Sequence, residues 1–467
     1  MLAPFRGIRY ARDRVSGIAN VTSPPYDVIS GGILEHLRAA DPHNVVRLIL
    51  PGADADASQA AAALLREWLS AGVLITDRMP ALYLYEQADE ATSWLQRGII
   101  SLIRLGSPQT AGILPHEGVM PGLVADRRAL MAATRANLEP IFLIYDGEGA
   151  GTRADGAGST ATEIIDRIAT EHTPIVSIMT EDAVTHRLWR LDRADEQDAI
   201  IADLGGRRAL IADGHHRYAA YLDLQAEIRA SGRGAGPWDY GLAFLVDSDT
   251  YPPRLGAIHR VLPGLPPERA AELAKAAFTA QELPAGCALA SALECLAAAG
   301  REGTAFLLAG ASGFWLLSQP DPVQVTASMP DGASAPWRSL DASVMQELLI
   351  GRLWGIADSE RDVLINHDAA DAVRAAASTG ATAIICNPPS FEAVIEIAAH
   401  GERVPRKSTS FGPKPRTGLV LRGDLDHGLE RRRVSDDGGR ARAGRRAYRI
   451  GRVMVDQHVA LTVGDAP

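Results

Sequence analysis

The stretch LIADGHHRYAAY, residues 210–221, concentrates polar side chains at one junction. An apolar run typical of a buried strand ends in Asp-Gly, and a helix-like pattern begins at once. The first turn of a helix has backbone N–H groups without partners inside the helix, and the positive end of the helix dipole lies there. Arginine adds bidentate binding of phosphate oxygens. The stretch therefore predicts a phosphate-binding turn made by Asp213, Gly214, His215, His216 and Arg217.

Two other interpretations of this turn stay open. Neighbouring positions on a helix point about 100 degrees apart, so His215 and His216 suit one metal ion less well than two histidines four residues apart. Alternatively, Asp213 caps the helix and the histidines are ordinary surface side chains. The residue types favour a phosphate-binding turn first, a plain cap second and a metal site last, and we assign no metal ligands.

A second polar group is the turn Pro115-His116-Glu117, which follows an apolar run. A carboxylate in such a turn can accept the proton of a substrate hydroxyl if it lies within hydrogen-bond reach. A predicted helix follows, and its Arg127 is a candidate phosphate ligand. The simpler alternatives are that Glu117 is an exposed loop residue and that Arg127 is solvated.

The segment VTSPPYDVIS, residues 21–30, contains paired prolines. Prolines stiffen the chain and force a turn here, so Tyr26 and Asp27 are presented rigidly and are candidates for a substrate pocket. The alternative is that Asp27 and Ser30 only stabilise the turn.

The segment VPRKSTSFGPKPRTGLVL, residues 404–421, combines basic side chains with hydroxyl groups in a loop. Lys407, Ser408 and Thr409 are candidate phosphate ligands, and Lys414 belongs to the same loop. The glycines of a Walker-type loop are missing. A basic linker into a basic tail is the alternative.

The chain has 467 residues, of which 46% are hydrophobic and 22% charged. These values are typical of a folded protein with more than one core. Its start lacks the long apolar stretch of a secretion signal or membrane anchor, so we expect a cytoplasmic protein that does not span a membrane. The three cysteines show no metal-ligand spacing and no disulfide framework.

Charge is distributed unevenly along the chain, whose formal net charge is −10. Residues 401–452 contain fifteen Lys or Arg and six Asp or Glu, a balance of +9, which leaves −19 for the rest. An acidic body argues against nucleic-acid binding, so only the basic tail is suited to a polyanion. Beyond about residue 421 the chain is poor in core-forming residues, and we expect disorder or loose packing there.

Strand-like and helix-like segments alternate, which predicts a mixed α/β (α+β) fold but does not fix the strand order. The predicted strands are VVRLIL (45–50), ALYLYEQA (81–88), IISLIRL (99–105), IFLIYD (141–146), RALIAD (208–213), GLAFLVD (241–247), TAFLLAG (304–310) and ATAIIC (381–386). The predicted helices cover residues 58–72, 125–138, 216–230, 267–278 and 391–400.

We predict four segments from these patterns and from the motifs. They are an N-terminal α/β segment (1–107), a core segment that contains the two polar turns (108–260), a C-terminal α/β subdomain with the basic closing loop (261–421) and a basic tail (422–467). The Gly-rich stretch 146–160 is expected to be an exposed loop.

Four stretches together resemble the prokaryotic family known as domain of unknown function 1015. They are SPPYDVIS, ATRANLEPIFLIY, IADGHHRYAA and KSTSFGPKPRTGL, in an order and spacing kept from about residue 4 to 421. Asn137, in the second stretch, is a third candidate for the substrate pocket.

ILPHE followed by ALIADGHHRYAA is also similar to the free-serine kinases of the ParB/sulfiredoxin superfamily. This resemblance covers about residues 110–225 and implies a ParB/sulfiredoxin-like nucleotide-binding core with further α/β subdomains. It implies that Glu117 is the catalytic base, with His116 beside it, and that the turn at residues 213–217 holds nucleotide phosphates. His215 stands where sulfiredoxin has its reactive cysteine, so thiol chemistry is not implied.

The sequence thus predicts a nucleotide-dependent kinase for a small hydroxyl-bearing metabolite, with free serine as one candidate. ATP or ADP with Mg²⁺ would be the phosphoryl donor. A nucleotide-binding regulatory protein is the first alternative, and a metal-dependent hydrolase using His116, Glu117, His215 and His216 is the second. The oligomeric state stays open.

Overall fold

The computed structural model describes residues 2–147, 159–359 and 361–423. Helices and strands alternate along these ranges, and the sheets contain both parallel and antiparallel pairs. The predicted mixed α/β class is therefore confirmed.

The described strands contribute to four sheets. In chain order they are β1 (Leu2–Ala3), β2 (Gly7–Tyr10), β3 (Leu74–Thr76), β4 (Leu82–Asp89), β5 (Trp94–Arg104), β6 (Ile113–Leu114), β7 (Ile141–Tyr145), β8 (Val176–Met179), β9 (Thr185–Leu191), β10 (Ala209–Asp213), β11 (Tyr240–Asp247), β12 (Arg254–Gly256), β13 (His259–Leu262), β14 (Thr279–Glu282), β15 (Phe306–Gly310), β16 (Gly313–Ser318), β17 (Leu364–Asn366), β18 (Thr382–Cys386), β19 (Ser410–Gly412) and β20 (Leu421–Arg422).

The described helices vary from single turns to four turns in length. They are α1 (Ile18–Val21), α2 (Gly31–Ala40), α3 (Val46–Ile49), α4 (Ala57–Ser70), α5 (Pro108–Ala111), α6 (Pro121–Thr134), α7 (Thr160–Glu171), α8 (Ala194–Leu204), α9 (His215–Ala230), α10 (Pro267–Ala274), α11 (Leu289–Glu302), α12 (Pro322–Ser328), α13 (Ala335–Ser339), α14 (Asp341–Ser343), a π-helical stretch (Val344–Leu353), α15 (Ala369–Thr379) and α16 (Phe391–Ala399).

Within the described residues, the largest sheet has nine strands in the order β6-β10-β7-β11-β5-β4-β9-β8, with β1 paired to β5. The pairs β6–β10 and β7–β11 are parallel, and the other pairs are antiparallel. Helices α6, α7, α8 and α9 pack on one face, while α16 and residues near the C-terminal end of the described chain pack on the other. Strand β7 (IFLIY) is apolar and buried along its whole length, because both faces of the sheet are covered there.

The predicted strand VVRLIL is wrong, because residues 46–49 form the single-turn helix α3. Val46, Leu48 and Ile49 are all fully buried, and Leu48 and Ile49 belong to a cluster with α4 and β2. A short run that is buried on every side has no periodicity by which a strand can be told from a helix. The other seven predicted strands and the five predicted helices are confirmed, with shifted ends.

A second sheet, in the order β14-β16-β15-β18-β13-β17, is antiparallel throughout. The π-helical stretch and α10 cover one face, and α11 and α15 cover the other. This sheet begins with β13, close to the predicted boundary at residue 260. The boundary predicted at residue 107 falls between strands of one sheet, since β5 pairs with β11 across it.

After α16 the chain returns to the first sheet region. Strand β19 pairs with β12, and β20 pairs with β2. The predicted tail starts at residue 422, yet Arg422 belongs to β20 and is buried. The rest of that tail, 424–467, and most of the predicted Gly-rich loop, 148–158, lie outside the described residues.

Among the described helices, none combines the length and the apolar composition that a membrane span requires.

Replacing Phe244 by Ala should destabilise the large sheet strongly. Phe244 is 0% exposed in β11, and its ring centroid lies 5.0 Å from that of Tyr85 and 5.5 Å from that of Phe142. We expect the free energy of unfolding in urea to fall by about 3–5 kcal/mol. Val323→Ala, at a site that is 76% exposed, is the control and should change it by less than about 0.5 kcal/mol.

Candidate functional site

The predicted phosphate-binding turn has the local structure that its sequence indicates. Strand β10 ends at Asp213, Gly214 has a φ of +95°, and α9 begins at His215. The N–H of Tyr218 donates to the carbonyl of Gly214 at 2.8 Å. No described side chain caps this helix, so the N–H groups of the first turn are open to an anion.

Strand pairing brings the Glu117 turn to the same place. Strands β6 and β10 are parallel neighbours, with Leu114 opposite Leu210, so the residues after both strands leave the same edge of the sheet. The distance between Nδ1 of His215 and Oε2 of Glu117 is 3.8 Å. The two motifs are thus adjacent despite the roughly hundred residues between them.

Both histidines of the turn use one ring nitrogen to accept a backbone hydrogen bond. Nε2 of His215 accepts from the N–H of His116 at 3.3 Å, and Nε2 of His216 accepts from the N–H of Met120 at 3.1 Å. Burial lowers the pKa of both side chains, so each is a neutral imidazole with its proton on Nδ1. The lone pairs that a metal ion would need are engaged.

The described side chains around the turn are also not arranged as a metal site. Within ranges 2–147, 159–359 and 361–423, no group of three or more His, Cys, Asp or Glu side chains is arranged to hold a metal ion. The donor set of the proposed hydrolase therefore fits a transition metal poorly.

Arg217 lies below the turn and not on its surface. It is 2% exposed, donates to the carbonyl of Pro140 at 2.7 Å and pairs with Asp213, and its Nη1 is 4.0 Å from Oε1 of Glu139. Burial opposes its charge, but Glu139, Asp213 and Asp27 outweigh this and raise the pKa of Arg217. Arg217 is therefore a buried charge with protein partners beneath the turn and not an exposed side chain of it.

Lys414 connects three parts of the chain at the turn. Its ammonium pairs with Asp27 and lies 2.5 Å from Oδ1 of Asp213. Burial opposes the charge on both Lys414 and Asp27, yet Asp213 and Asp27 raise the pKa of Lys414, and Lys414 and Arg217 lower that of Asp27. Asp27 is therefore next to the turn.

Tyr26 also lies beside the turn, but in a stack with cations. Its ring is 4.4 Å from the guanidinium carbon of Arg127 and 5.8 Å from that of Arg217. Burial raises the pKa of Tyr26 to about 12. Arg127 donates to the carbonyl of Ile49 at 2.8 Å, so it packs against the N-terminal segment.

Asn137 is buried away from the turn. It exchanges backbone hydrogen bonds with Arg422, and its Oδ1 accepts from Nη1 of Arg422 at 3.0 Å. The structure therefore places this candidate in the contact between β20 and the core, not beside Glu117.

The loop at residues 405–409 approaches the turn from the C-terminal part of the chain. The carbonyls of Arg406 and Lys407 accept from the buried Arg260 at 2.9 and 2.8 Å. Lys407 has a φ of +54°, which is uncommon for a residue with a side chain. Burial raises the pKa of Glu117 and lowers that of His216; the charge of Lys407 opposes the first shift and adds to the second. Ser408 is buried and donates to the carbonyl of Pro405 at 2.6 Å.

A cavity of about 950 Å³ opens beside the turn. His215 and Tyr218 form part of its wall, and Arg104, Arg229 and Arg403 bring positive charge to it. This volume lies in the range of small-molecule sites. Glu117 borders this region, because Arg403 donates to its carbonyl.

Sequence reasoning missed Glu139 and Arg403, and it did not identify the partners of Lys414. Glu139 is buried, and burial raises its pKa; it accepts from the N–H of Tyr26 at 3.1 Å. Glu139 stands two residues before β7 in the stretch ATRANLEPIFLIY, and this position was the signal that could have identified it. Nothing local to Arg403 indicates a contact with Glu117, which is 286 residues away in sequence.

Gly214→Ala should destabilise the fold more than a matched glycine substitution. A Cβ at Gly214 would lie 3.0 Å from Cγ2 of Ile141 and 3.1 Å from Nη2 of Arg217, at a φ of +95°. Gly232 has a φ of +85° and no atom within 4 Å of its added Cβ, so Gly232→Ala measures the backbone strain alone. In urea unfolding we expect Gly214→Ala to cost roughly 1–3 kcal/mol more; equal costs would contradict the close packing.

The buried His116 should make stability fall at acidic pH. Burial lowers its pKa to about 3 in the folded chain, whereas an unfolded histidine titrates near 6.5. The unfolded state therefore binds the proton first, and stability present above about pH 6.5 is lost as pH falls toward 3. Between pH 7.5 and 5 this amounts to about 2 kcal/mol.

Urea titrations of His116→Gln at both pH values test this. The variant should lose less stability than the wild type between pH 7.5 and 5, by about 2 kcal/mol. His36→Gln, at a side chain that is 60% exposed, is the control and should follow the wild type. If His116→Gln lost as much stability as the wild type between pH 7.5 and 5, the assignment of a neutral buried His116 would be contradicted.

Comparisons with solved structures give several weak matches. A free serine kinase variant in complex with AMP is 14% identical, with a TM-score of 0.35, over 67% of this chain and 87% of that one. A second variant in complex with ADP has 14% identity and a TM-score of 0.34 over the same shares. A conserved hypothetical protein from Pyrococcus furiosus is 13% identical, with a TM-score of 0.34, over 70% of this chain and 95% of that one.

No curated protein matches the chain. The profile of the family described as "Protein of unknown function (DUF1015)" matches residues 2–343, which include both motifs that meet at the sheet edge. The chain belongs to this family.

Proposed function

We propose that the chain is a nucleotide-dependent phosphotransferase that acts on a small hydroxyl-bearing metabolite. One observation carries the proposal: Oε2 of Glu117 lies 3.8 Å from Nδ1 of His215, at the uncapped start of α9. A carboxylate able to take a proton is thus adjacent to a site able to hold phosphate.

The start of α9 would bind the phosphates of ATP or ADP. Its open N–H groups and the neutral imidazole of His216 supply hydrogen bonds, and Lys414 and Lys407 supply positive charge nearby. The resemblance of the Asp-Gly-His-His-Arg turn to that of the free-serine kinases supports this assignment. Arg217 adds charge from below the turn.

Glu117 would act as the general base. The attacking hydroxyl oxygen forms a bond to the terminal phosphorus, the bond from that phosphorus to the leaving phosphate oxygen breaks, and the hydroxyl proton passes to Glu117. Burial raises the pKa of Glu117, which brings it closer to the pH at which a base works best. His215 does not compete for the proton, because its Nε2 lone pair accepts from the N–H of His116 and burial disfavours its cationic form.

The cavity of about 950 Å³ is large enough for a nucleotide with a small acceptor. Arg403 lies at the cavity and contacts the backbone of Glu117, so an acceptor with a carboxylate could pair with it while its hydroxyl faces the base. Free serine has both groups and is the first acceptor to test.

Mg²⁺ would accompany the nucleotide. This ion keeps several waters and binds through one or two carboxylates plus phosphates. Besides the base Glu117, the carboxylates of Asp27 and Asp213 lie beside the turn, and both pair with Lys414. They would have to release Lys414 to bind the ion, which would free the ammonium for a phosphate.

Glu117→Gln should separate catalysis from binding. Removing the proton acceptor should lower phosphorylated product, measured by mass spectrometry with ATP or ADP, Mg²⁺ and serine, by roughly 10²–10⁴-fold. The rise in melting temperature with nucleotide should persist, since binding does not need the base. Glu272→Gln, at a side chain that is 62% exposed, is the control and should retain wild-type turnover.

The pH profile adds a second criterion. Because the base must be ionised and burial raises its pKa, the rate should fall with decreasing pH at a higher pH than for an ordinary glutamate. Nucleotide binding without product across a panel of hydroxyl metabolites would instead support a regulatory nucleotide-binding protein. The absence of any nucleotide-dependent change in melting temperature would contradict both.

A further inference from the structure

A hydroxyl group from the C-terminal part of the chain stands between His116 and Glu117. Oγ1 of Thr409 is 2.8 Å from Nε2 of His116 and 2.9 Å from Oε1 of Glu117. Thr409 follows the loop at residues 405–408 and directly precedes β19. It lies outside the residues 2–343 that the family profile matches.

Hydrogen bonds of the residues before and after Thr409 fix the position of its hydroxyl group. The N–H of Val404 donates to the carbonyl of His116 at 2.9 Å, and Arg403 donates to the carbonyl of Glu117. Strand β19, which begins one residue after Thr409, is paired with β12. The loop is therefore attached to the same turn that carries the carboxylate.

The donors and acceptors fix the direction of the hydrogen bonds. A threonine hydroxyl has one proton, and Thr409 gives it to the carboxylate of Glu117. With Glu117 ionised, His116 pairs with Thr409 only as the tautomer that has its proton on Nε2, and burial keeps this histidine neutral. The protons of the chain His116–Thr409–Glu117 all point toward the carboxylate and end on Oε1.

We propose that Thr409 is the positioning residue of Glu117: its hydroxyl group holds Oε1, so that Oε2 is directed at the acceptor hydroxyl. The assignment of an acceptor rests on the proposed phosphotransferase, whereas the hold on Oε1 does not. Oε2 is the oxygen that faces Nδ1 of His215, at the start of α9. Oε1 thus accepts the hydrogen bond from Thr409, and Oε2 is left for the acceptor hydroxyl.

The same hydrogen bond opposes protonation of the base. Burial favours the neutral form of Glu117 and raises its pKa, while the hydrogen bond from Thr409 stabilises the charged form and counteracts that rise. Without the hydroxyl, the carboxyl group would be protonated over a wider pH range. Thr409 therefore orients Glu117 and, together with the charges of Lys407 and Lys414, favours its ionised form against burial and the charge of Asp213.

Thr409→Val removes the hydroxyl group and keeps the shape of the side chain. By ¹³C NMR, with the Glu117 carboxyl signal identified through Glu117→Gln, its pKa should rise by about one unit, since a hydrogen bond to a charged group contributes that much. Thr409→Ser should restore the wild-type value. Ser408→Ala removes the neighbouring hydroxyl, which donates to Pro405, and should leave the pKa unchanged.

Turnover gives a second readout. Thr409→Val should lower kcat roughly 10-fold or more with little change in KM, and the acidic limb of the pH profile should move upward together with the carboxyl pKa. Thr409→Ser should recover both. If Thr409 only stabilised the fold, Thr409→Val would leave the pH dependence of the rate unchanged.

The outcomes separate the two proposals. An unchanged Glu117 pKa in Thr409→Val overturns the role of Thr409, whether or not the chain is an enzyme. If the Glu117 pKa rises in Thr409→Val but the wild type forms no product, the hydrogen bond from Thr409 to Glu117 is supported. Only the proposed phosphotransferase activity is then overturned. If Thr409→Val does not fold, ¹⁵N NMR of wild-type His116 decides: a proton on Nε2 supports the chain of hydrogen bonds, and a proton on Nδ1 overturns it.

Discussion

The parallel pairing of β6 with β10 is the constraint on which the candidate site depends. Only two residue pairs, Ile113 with Ala209 and Leu114 with Leu210, define this register. Because both strands run in the same direction, the turns that follow them leave one sheet edge together. A shift of one residue would turn each side chain to the opposite face and separate the carboxylate of Glu117 from the start of α9.

Buried charge is balanced around this edge by partners from distant parts of the chain. Arg217 lies among Asp213, Glu139 and Asp27, and Lys414 joins Asp27 to Asp213. Removing one member of such a group leaves an uncompensated charge in the interior, which is strongly destabilising. The same residues therefore give the site its electrostatic character and hold the N-terminal segment, the core and the C-terminal loop together.

Sequence patterns were sufficient to predict the local secondary structure. The Asp-Gly turn, the long helix after it and the apolar strands follow from periodicity and turn residues, and α9 and β10 have the predicted form. Contacts between distant segments could not be predicted, because no spacing rule connects Thr409 to Glu117 or Lys414 to Asp27. The strand predicted at residues 45–50 failed for a related reason, since its burial comes from tertiary packing.

The return of the chain after α16 bears on when the site can form during synthesis. A nascent chain that ends before residue 404 has both strands, α9 and Glu117, but it lacks Thr409 and Lys414. The carboxylates of Asp27 and Asp213 would then face each other without the ammonium that joins them. The sheet can assemble early, whereas the complete arrangement of charges exists only once nearly all of the described chain has left the ribosome.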